Sequence, residues 1–514
     1  MRVPARLSGP AGARRTWFAV CLLAAACSES NSAPEPTGQI RVTSSTTGLS
    51  VDPDGYTVVL DEGAEHPIQV NGTLLLDDVA PGNHTLTLAG VAASCHISEQ
   101  PMTIVVSAGE TTEASFAVTC DAGPAFALRL VSTSWSHACG VTAEDTVYCW
   151  GSNVYSQLGV DAAGPEQCDA GRGVMLACSS RPAAILSELR FQSVSAGLIF
   201  TCGVATDNRA YCWGSNSHGQ RGDGTYGNGI ASAQLTPVQV AGGLNFRQVS
   251  AGIYHTCGVT TDDRAYCWGN NLSGQLGDGT NVDRSTPVAV AGTLRFRQVS
   301  ADGDHSCGIT TDDLAFCWGS SSSGQVGDSS TSGTLRFLPV PVAGNHYFSQ
   351  IDAGYYHTCA VTTGSRAYCW GSGIFAQLGD GRTVIESTWP IAVAGELFFE
   401  RITASLWTTC GQTTDNSAYC WGVGASGELG NGTTAGLESC DELGVGPIAC
   451  SPLPVAVVGG HSFAQVEVGR DFTCARTEAN VAYCWGSTGY GLLGNGETDL
   501  AGRRPTPTPV LGPL

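Results

Sequence analysis

The chain has 514 residues, of which 67 are glycine and only 13% are charged. This composition favours several domains, or an array of short strands and tight turns, over one helical core. All 24 basic residues are arginine, which excludes a P-loop and lysine Schiff-base chemistry, and the net charge of −21 makes DNA and RNA poor partners.

The first 26 residues are typical of an export signal. They carry four arginines and no acidic residue, and they end in an apolar run of ten residues from Trp17 to Ala26. Such a run is too short for a permanent membrane-spanning helix. We therefore predict that residues 1–26 form a signal peptide that is removed on export.

Cys27 follows this segment, and the preceding Leu-Leu-Ala-Ala-Ala resembles a bacterial lipobox. Loss of Cys21 with the signal would leave 21 of the 22 cysteines, and ten pairs account for all but Cys27, which favours lipid attachment there. The alanines also suit ordinary signal-peptidase cleavage, and Cys27 is alternatively a free or intermolecularly paired thiol. Residues 27–37 would form a flexible tether. We expect an exported protein, either a cell-envelope lipoprotein (in the outer membrane of a Gram-negative cell) or a secreted protein, whose only membrane contact is the lipid.

Residues 38–121 alternate apolar and polar positions in short runs, for example 56–61, 84–91 and 114–120. Turn-forming clusters separate these runs, so a small β-sandwich is predicted. The segments 51–61 and 78–88 resemble carboxypeptidase-regulatory and PEGA-type surface modules. A disulfide between Cys95 and Cys120 would tie two of the strands.

The remaining residues, 126–514, repeat one pattern seven times. The most regular copy is 255–269, and the Trp-Gly pairs of the copies begin at Trp150, Trp213, Trp268, Trp318, Trp370, Trp421 and Trp485. Each unit of about 50 residues contains four short strand patterns, which in the third copy are 236–242, 245–252, 255–260 and 265–269. One such unit cannot bury both of its faces, whereas a closed ring can, so the repeats predict a β-propeller.

Segments 150–159, 213–222 and 268–277 also carry Trp-Gly-x-Asn-x-x-Gly-Gln-Leu-Gly or a close variant. This pattern resembles the regulator of chromosome condensation repeat family, and the resemblance covers about residues 126–514. It implies a seven-bladed β-propeller in an all-β chain, with protein partners bound at one face. The array begins with a second-type strand at Phe126 and ends with a first-type strand at 504–512, so we expect the last strand to complete the blade that begins near Phe126.

Each repeat places two cysteines ten residues apart around a turn, which would set them directly opposite on adjacent antiparallel strands. Export makes oxidation the default, and the spacing lacks a zinc knuckle, so disulfides are predicted and no metal site. Two long insertions add one pair each. The predicted pairs are Cys139–Cys149, Cys168–Cys178, Cys202–Cys212, Cys257–Cys267, Cys307–Cys317, Cys359–Cys369, Cys410–Cys420, Cys440–Cys450 and Cys474–Cys484, besides Cys95–Cys120.

Four repeats place a histidine two residues before the first cysteine: His137, His255, His305 and His357. Phenylalanine or threonine takes this position in the other three, which favours a packed blade position over a ring of metal ligands. Asp262, Asp263, Asp312 and Asp313 are predicted to be solvated turn residues.

The sequence contains no GxSxG, HExxH or phosphate-loop motif, so no catalytic residue and no cofactor are predicted. We expect a monomeric, non-enzymatic surface or secreted protein that binds a protein or glycan through propeller loops, with the insertions 161–182 and 433–454 as contact regions. One alternative is nucleotide exchange on a small GTPase, as in the family namesake, although export and the acidic charge oppose it. Another is an envelope hydrolase on a propeller scaffold.

Overall fold

The computed structural model describes residues 36–48, 55–61, 63, 65–91, 95–97, 100–120, 126–161, 165–169, 174–227, 229–435, 438–440 and 448–513. The predicted signal peptide, Cys27 and most of the predicted tether lie outside these residues. None of the described residues belongs to a helix that is long and apolar enough to cross a bilayer.

The chain divides into two compact units, the first drawn mostly from residues before 119 and the second mostly from the residues after it. The first unit contains two four-stranded sheets, with strand orders β4-β1-β8-β6 and β3-β2-β5-β7. Its strands are β1 (Gly38–Gly48), β2 (Tyr56–Leu60), β3 (Glu65–Ile68), β4 (Thr73–Val79), β5 (Gly82–Ala89), β6 (Cys95–Ile97), β7 (Met102–Val106) and β8 (Thr111–Cys120). Alternate residues are buried along them, such as Val58 in β2 and Leu86 and Leu88 in β5, so each sheet has one apolar face.

The described part of the second unit forms seven consecutive antiparallel sheets, which correspond to the seven repeats and which we number blade 1 to blade 7. Blade 1 contains β9 (Leu130–Thr133), β10 (His137–Val141), β11 (Val147–Ser152), β12 (Glu166–Asp169) and β13 (Met175–Ala184). Blade 2 contains β14 (Phe191–Ala196), β15 (Phe200–Ala205), β16 (Ala210–Gly214) and β17 (Gln234–Gln239). Blade 3 contains β18 (Phe246–Ala251), β19 (His255–Thr260), β20 (Ala265–Gly269) and β21 (Arg284–Ala289).

Blade 4 contains β22 (Phe296–Asp302), β23 (His305–Thr310), β24 (Ala315–Ser321) and β25 (Thr334–Pro341). Blade 5 contains β26 (Phe348–Ala353), β27 (His357–Thr362), β28 (Ala367–Gly373) and β29 (Val384–Ala392). Blade 6 contains β30 (Phe399–Ala404), β31 (Thr408–Thr413), β32 (Ala418–Val423), β33 (Glu438–Cys440) and β34 (Ile448–Ala456). Blade 7 contains β35 (Phe463–Val468), β36 (Phe472–Thr477), β37 (Ala482–Ser487) and β38 (Arg503–Pro509), and two 3-10 turns lie at η1 (Gly229–Ser232) and η2 (Gly489–Gly491).

The predicted phase of the last strand is wrong. The strand β38 pairs with β37 and completes blade 7, whereas blade 1 has its own outer strand, β13. Each outer strand pairs with the strand that precedes it in sequence, since that antiparallel pairing needs only the local connection. Blades 7 and 1 are instead joined by the residues before β9: Ala127 forms a bridge with Val481, and Phe126 N–H donates to Val510 O at 2.9 Å.

The apolar core lies between adjacent blades. Phe191, in the first strand of blade 2, packs against Val141 and Cys149 of blade 1 and against Trp213, and the same arrangement recurs around the ring. Between blades 7 and 1, the cluster that contains Trp150 and Val510 closes the circle. Burial of each such large side chain contributes about 1.5–3 kcal/mol, so the blades stabilise one another.

The Trp-Gly-x-Asn-x-x-Gly-Gln-Leu-Gly pattern joins neighbouring blades. Trp268 of blade 3 is fully buried, and its Nε1–H donates to Gln220 O in the preceding blade at 2.9 Å. Gly222 has φ 72°, and a Cβ there would lie 2.6 Å from the Trp268 Nε1 atom, so glycine is required. The Asn216 side chain accepts a hydrogen bond from Arg221 N–H at 2.9 Å. The pattern is therefore explained by blade packing.

Nine of the ten predicted cysteine pairs are disulfides in the described residues. In the seven repeat pairs the cysteines are directly opposite on adjacent strands, as for Cys257 and Cys267, whose Cα atoms are 4.1 Å apart. In the two insertions the cysteines are diagonal neighbours, and the Cα atoms of Cys168 and Cys178 are 5.9 Å apart. In the tenth pair Cys95 is disulfide-bonded, and the side chain of its predicted partner, Cys120, lies outside the described part.

Candidate functional site

The two ends of the propeller carry different loops. Because neighbouring strands in a blade are antiparallel, the turn between the first and second strands lies at the same end as the loop that leads to the outer strand. We call this end the loop face, and we call the opposite end, which carries the hairpins between second and third strands, the turn face. Both predicted contact regions, 161–182 and 433–454, lead to outer strands, so their hairpins β12–β13 and β33–β34 belong to the loop face.

Each inserted hairpin packs on the blade before it in the ring. The disulfide Cys440–Cys450 of blade 6 lies in one apolar cluster with Phe375 of blade 5 and with Trp407. In blade 1, Ser180 approaches the η2 turn of blade 7 so closely that a Cβ on Gly491 would lie 2.4 Å from its Cα. The inserted hairpins are therefore held in place on the loop face by packing against the preceding blade.

The first strands of the blades line a central channel. Side chains at equivalent positions of these strands form hydrogen bonds to the first strand of the adjacent blade. Ser195 Oγ accepts a hydrogen bond from Ala251 N–H of the next blade at 2.9 Å, and Ser250 Oγ does the same for Ala301 N–H at 3.0 Å. A glutamine two residues before this serine position makes a similar link. Gln350 Nε2 donates to Ile402 O of the next blade, and Gln350 Oε1 accepts from Ile402 N–H, each at 2.9 Å. These side chains replace the backbone ladder that separate sheets cannot form.

Three acidic residues depart from the repeat in this channel. Asp352 and Glu467 stand where four other blades have serine, and Asp302 stands where four have glycine. They line a chamber of about 100 Å³ near the loop face. Asp352 Oδ2 accepts Ala404 N–H at 2.8 Å, which is the bond that serine makes elsewhere, so the fold does not require a carboxyl.

The pKa values of the chamber carboxyls lie close to neutral pH. These residues are half-buried, and burial raises the pKa of Asp302, Asp352 and Glu467 to about 7. The charge of Asp352 also raises the pKa values of Asp302 and Glu467. An acidic cluster alone identifies no ligand.

The four repeat histidines are fully buried, as their substitution pattern predicted. His357 Nε2 lies 2.8 Å from Thr409 Oγ1 of the next blade, whose hydroxyl donates to Gln377 O. The histidine must therefore donate through Nε2, so it is not a base toward this threonine. Burial lowers the pKa of His137, His255, His305 and His357 to about 3, and the rings act as neutral packing groups between blades.

The aspartates of the turn face do not converge on the channel chamber. Asp262 and Asp312 are exposed, as predicted for solvated turn residues. Asp263 and Asp313 are also turn residues, with side chains 40% and 41% exposed, and each additionally forms an ion pair with an arginine of its own first strand, which the sequence did not predict. One of these arginines, Arg297, also donates through Nη1 to Ser349 O of the next blade at 2.9 Å, so the pairs brace neighbouring blades.

A concavity of about 650 Å³ on the loop face lies mainly across blades 7, 1 and 2, with Tyr254 of blade 3 and Ser426 of blade 6 at its margins. We call it the loop-face pocket. Its wall includes Leu176 from the stapled hairpin of blade 1, and its rim includes Arg470 and Arg503 of blade 7. The guanidinium of Arg470 lies 5.1 Å from the ring centroid of Trp135, and Trp135 packs on Tyr355 across the channel mouth at 5.5 Å. The pocket combines apolar walls with a charged rim, which suits binding.

Sequence reasoning identified the inserted hairpins but missed the other pocket residues and the channel acids. Trp135 and Arg470 occupy equivalent positions in blades 1 and 7, where other blades carry leucine, isoleucine, glycine or tyrosine. Alignment of the seven repeats with one another would have marked them, together with Asp302, Asp352 and Glu467, as departures from the repeat.

Residues 179–513 match the RCC1-like domain family, and residues 129–157 match the regulator of chromosome condensation (RCC1) repeat. Among similar proteins, the ultraviolet-B receptor UVR8 of Arabidopsis thaliana is 26% identical over 72% of this chain and 79% of its own length. The E3 ubiquitin-protein ligase HERC2 of Homo sapiens is 30% identical over 30% of this chain but only 3% of its own length. Yeast RCC1 (Prp20), solved bound to Kap60, has a TM-score of 0.60 at 20% identity over 75% of this chain and 85% of its own. These likenesses confirm the all-β propeller fold.

Proposed function

Because the chain belongs to the RCC1-like domain family, we propose that it is a monomeric, non-enzymatic scaffold that binds a protein partner outside the cytoplasm through the loop face of its propeller. The observation that carries this proposal is the loop-face pocket, which one disulfide-stapled hairpin borders. The insertions that distinguish blades 1 and 6 from the other blades both lie on this face, so the chain's departures from its own repeat are concentrated there.

The relatives support a binding role. Yeast RCC1 was solved bound to Kap60, and Prp20p has been characterised for its binding to Gsp1p and histones. The named partners of these relatives are proteins, and protein binding at a propeller face needs no catalytic group. The buried histidines of this chain, with Nε2 engaged and pKa values of about 3, do not supply a general base.

The place of action is inferred from the cysteines and the N-terminus. Nine disulfides join described residues of the propeller, and such bonds persist in oxidising compartments. The N-terminal segment has the features of a signal peptide, with lipid attachment at Cys27. Mass spectrometry of the mature protein tests this: a lipidated Cys27 at the N-terminus is expected, and an unmodified Cys27 or a start elsewhere contradicts the anchor.

Affinity capture from envelope extracts tests the binding role. The full chain serves as bait beside two variants, Leu176→Asp on the loop face and Leu338→Asp on the outer strand of blade 4, where Leu338 is 52% exposed. We expect a protein that the wild type and L338D retain and that L176D loses. A protein retained equally by all three baits, or specific retention of glycan alone, contradicts the proposal.

A further inference from the structure

The loop-face pocket has a floor with an unused hydrogen-bond donor. Gln157 is 1% exposed and lines the pocket. Its Oε1 accepts Tyr155 N–H at 2.8 Å, but Nε2 has no partner among the described residues. The equivalent amide of Gln275 donates to Asn270 Oδ1 at 2.6 Å, whereas the equivalent amides of Gln220 and Gln377 are, like that of Gln157, without a partner in the described part of the chain. Gln157 differs from these two glutamines because it lines the pocket, where water or a ligand can supply the acceptor that the amide lacks.

The walls above this floor are largely aliphatic and aromatic, although four serines also line the pocket. Leu176, Leu198, Ile199, Leu492 and Leu500 line the pocket together with Trp135 and three tyrosines. A neutral glycan, whose hydroxyls need acceptors as well as donors, would lose hydrogen bonds against these aliphatic side chains. A large apolar or aromatic side chain would bury its surface there without that loss.

The rim carries positive charge in an acidic chain. The charged residues that line the pocket are Arg470, Asp471 and Arg503, while the whole chain has a net charge of −21. Arg470 Nε pairs with Asp471 Oδ2 at 3.4 Å. Arg503 donates through Nη1 to Leu500 O at 2.9 Å and Gly502 O at 2.8 Å, but its Nε and Nη2 have no hydrogen-bond partner in the described part of the chain. The unpaired edge of this guanidinium suits a carboxylate, which it would bind with two donors.

We propose that the loop-face pocket binds a short peptide segment of a partner protein in which a large apolar side chain lies next to a carboxylate. The apolar side chain packs between Leu176 and Trp135, the carboxylate pairs with Arg503, and a peptide carbonyl accepts the hydrogen bond from Gln157. This inference rests on the proposed protein-binding function and adds the chemistry of the bound segment.

Panning of a phage library of random heptapeptides on the immobilised full chain tests the chemistry. We expect enrichment of peptides that place Phe, Tyr, Trp, Leu or Ile beside Asp or Glu. The leading peptide is then synthesised with its acid intact and with the corresponding amide, and both are titrated by calorimetry. The acid form should bind at least tenfold more tightly. Equal affinity of the two forms, or enrichment without an acidic residue, overturns the proposal.

Matched arginine variants test whether the peptide binds in the loop-face pocket. Arg503→Gln and Arg470→Gln remove the rim charges one at a time, so the result does not depend on either variant alone. Arg366→Gln is the control, because Arg366 lies 5.5 Å from the ring centroid of Phe398 and reproduces the arginine-on-aromatic contact at the turn face. We expect at least tenfold weaker binding for R503Q with an unchanged melting temperature, and no change for R366Q. Equal binding by all four proteins overturns the assignment of the pocket.

The two proposals fail in different ways. If the captured protein depends on Leu176 but no acidic apolar peptide binds, the peptide chemistry is wrong and the protein-binding function stands. If neither binds at the loop face, both are wrong.

Discussion

Replacement of one buried histidine by phenylalanine should make the propeller relatively more stable in acid. His357→Phe uses a residue that blades 2 and 7 already carry at the same position, as Phe200 and Phe472. The pKa of His357 is lowered from 6.5 to about 3 by burial. A lowered histidine pKa means that the folded chain resists a proton that the unfolded chain accepts, so stability is complete above pH 6.5 and is lost as the pH falls toward 3.

The magnitude follows from these two pKa values. Between pH 7.5 and pH 5, one such histidine costs the wild type about 2 kcal/mol of unfolding free energy. The carboxyls of the channel titrate in the opposite sense, but they are present in both proteins and cancel in the comparison. The free energy of unfolding of H357F relative to wild type should therefore rise by about 2 kcal/mol over this pH interval.

Urea unfolding of the disulfide-intact protein at both pH values, followed by tryptophan fluorescence, measures this difference. Loss of the bond from Nε2 to Thr409 adds an offset that does not depend on pH. The reciprocal variant Phe200→His introduces the same titration and should lose about 2 kcal/mol relative to wild type. A pH-independent difference in both variants would refute the account of the histidines as buried neutral packing groups.

Three further perturbations test the ring. Gln350→Leu leaves both backbone groups of Ile402 without their interblade partner, so urea unfolding should show a loss of about 2–4 kcal/mol in unfolding free energy. The control Gln234→Leu, in the outer strand β17, should lose less than about 0.5 kcal/mol. Equal losses would contradict the bracing role of Gln350. Deletion of residues 503–514 removes β38 together with the buried Val510 and Leu511. Calorimetry should therefore show a melting temperature at least about 10 °C lower. An unchanged melting temperature would refute the completion of blade 7 by this strand. Glu428 takes the place of the repeat glutamine, and burial raises its pKa from 4.5 to about 7. Since a raised carboxyl pKa costs stability as the pH rises from 4.5 to 7, Glu428→Gln should gain about 2–3 kcal/mol relative to wild type between pH 5 and pH 8, and a constant difference in urea unfolding would contradict it.

The elements of the propeller were predictable because each repeat restates them. The seven repeat cysteine pairs follow from strand register alone, since equal distances from a turn place Cys257 opposite Cys267. The histidines were recognised as packing groups because phenylalanine replaces them in other copies. The blade to which the last strand belongs was not predictable from the order of strand patterns, because either neighbouring blade could receive β38 until its pairing with β37 was known.

The binding site was largely beyond sequence reasoning. Arg470 lies over Trp135 only because the ring brings blade 7 beside blade 1, and no local pattern links residues so far apart in the chain. The ion pairs of Asp263 and Asp313 were missed for a related reason, since their arginines lie across the blade rather than in the turn. The inserted hairpins were found because a long insertion stands out against a regular repeat.

Site-specific photo-crosslinking in intact cells tests the central claim most directly. A crosslinking amino acid at Tyr490, which lines the loop-face pocket, is compared with one at Asp262, whose side chain is 68% exposed on the turn face. The account predicts a discrete crosslinked partner protein from position 490 and none from position 262. Crosslinks of equal yield from both positions, or from position 262 alone, would contradict the loop face as the binding face.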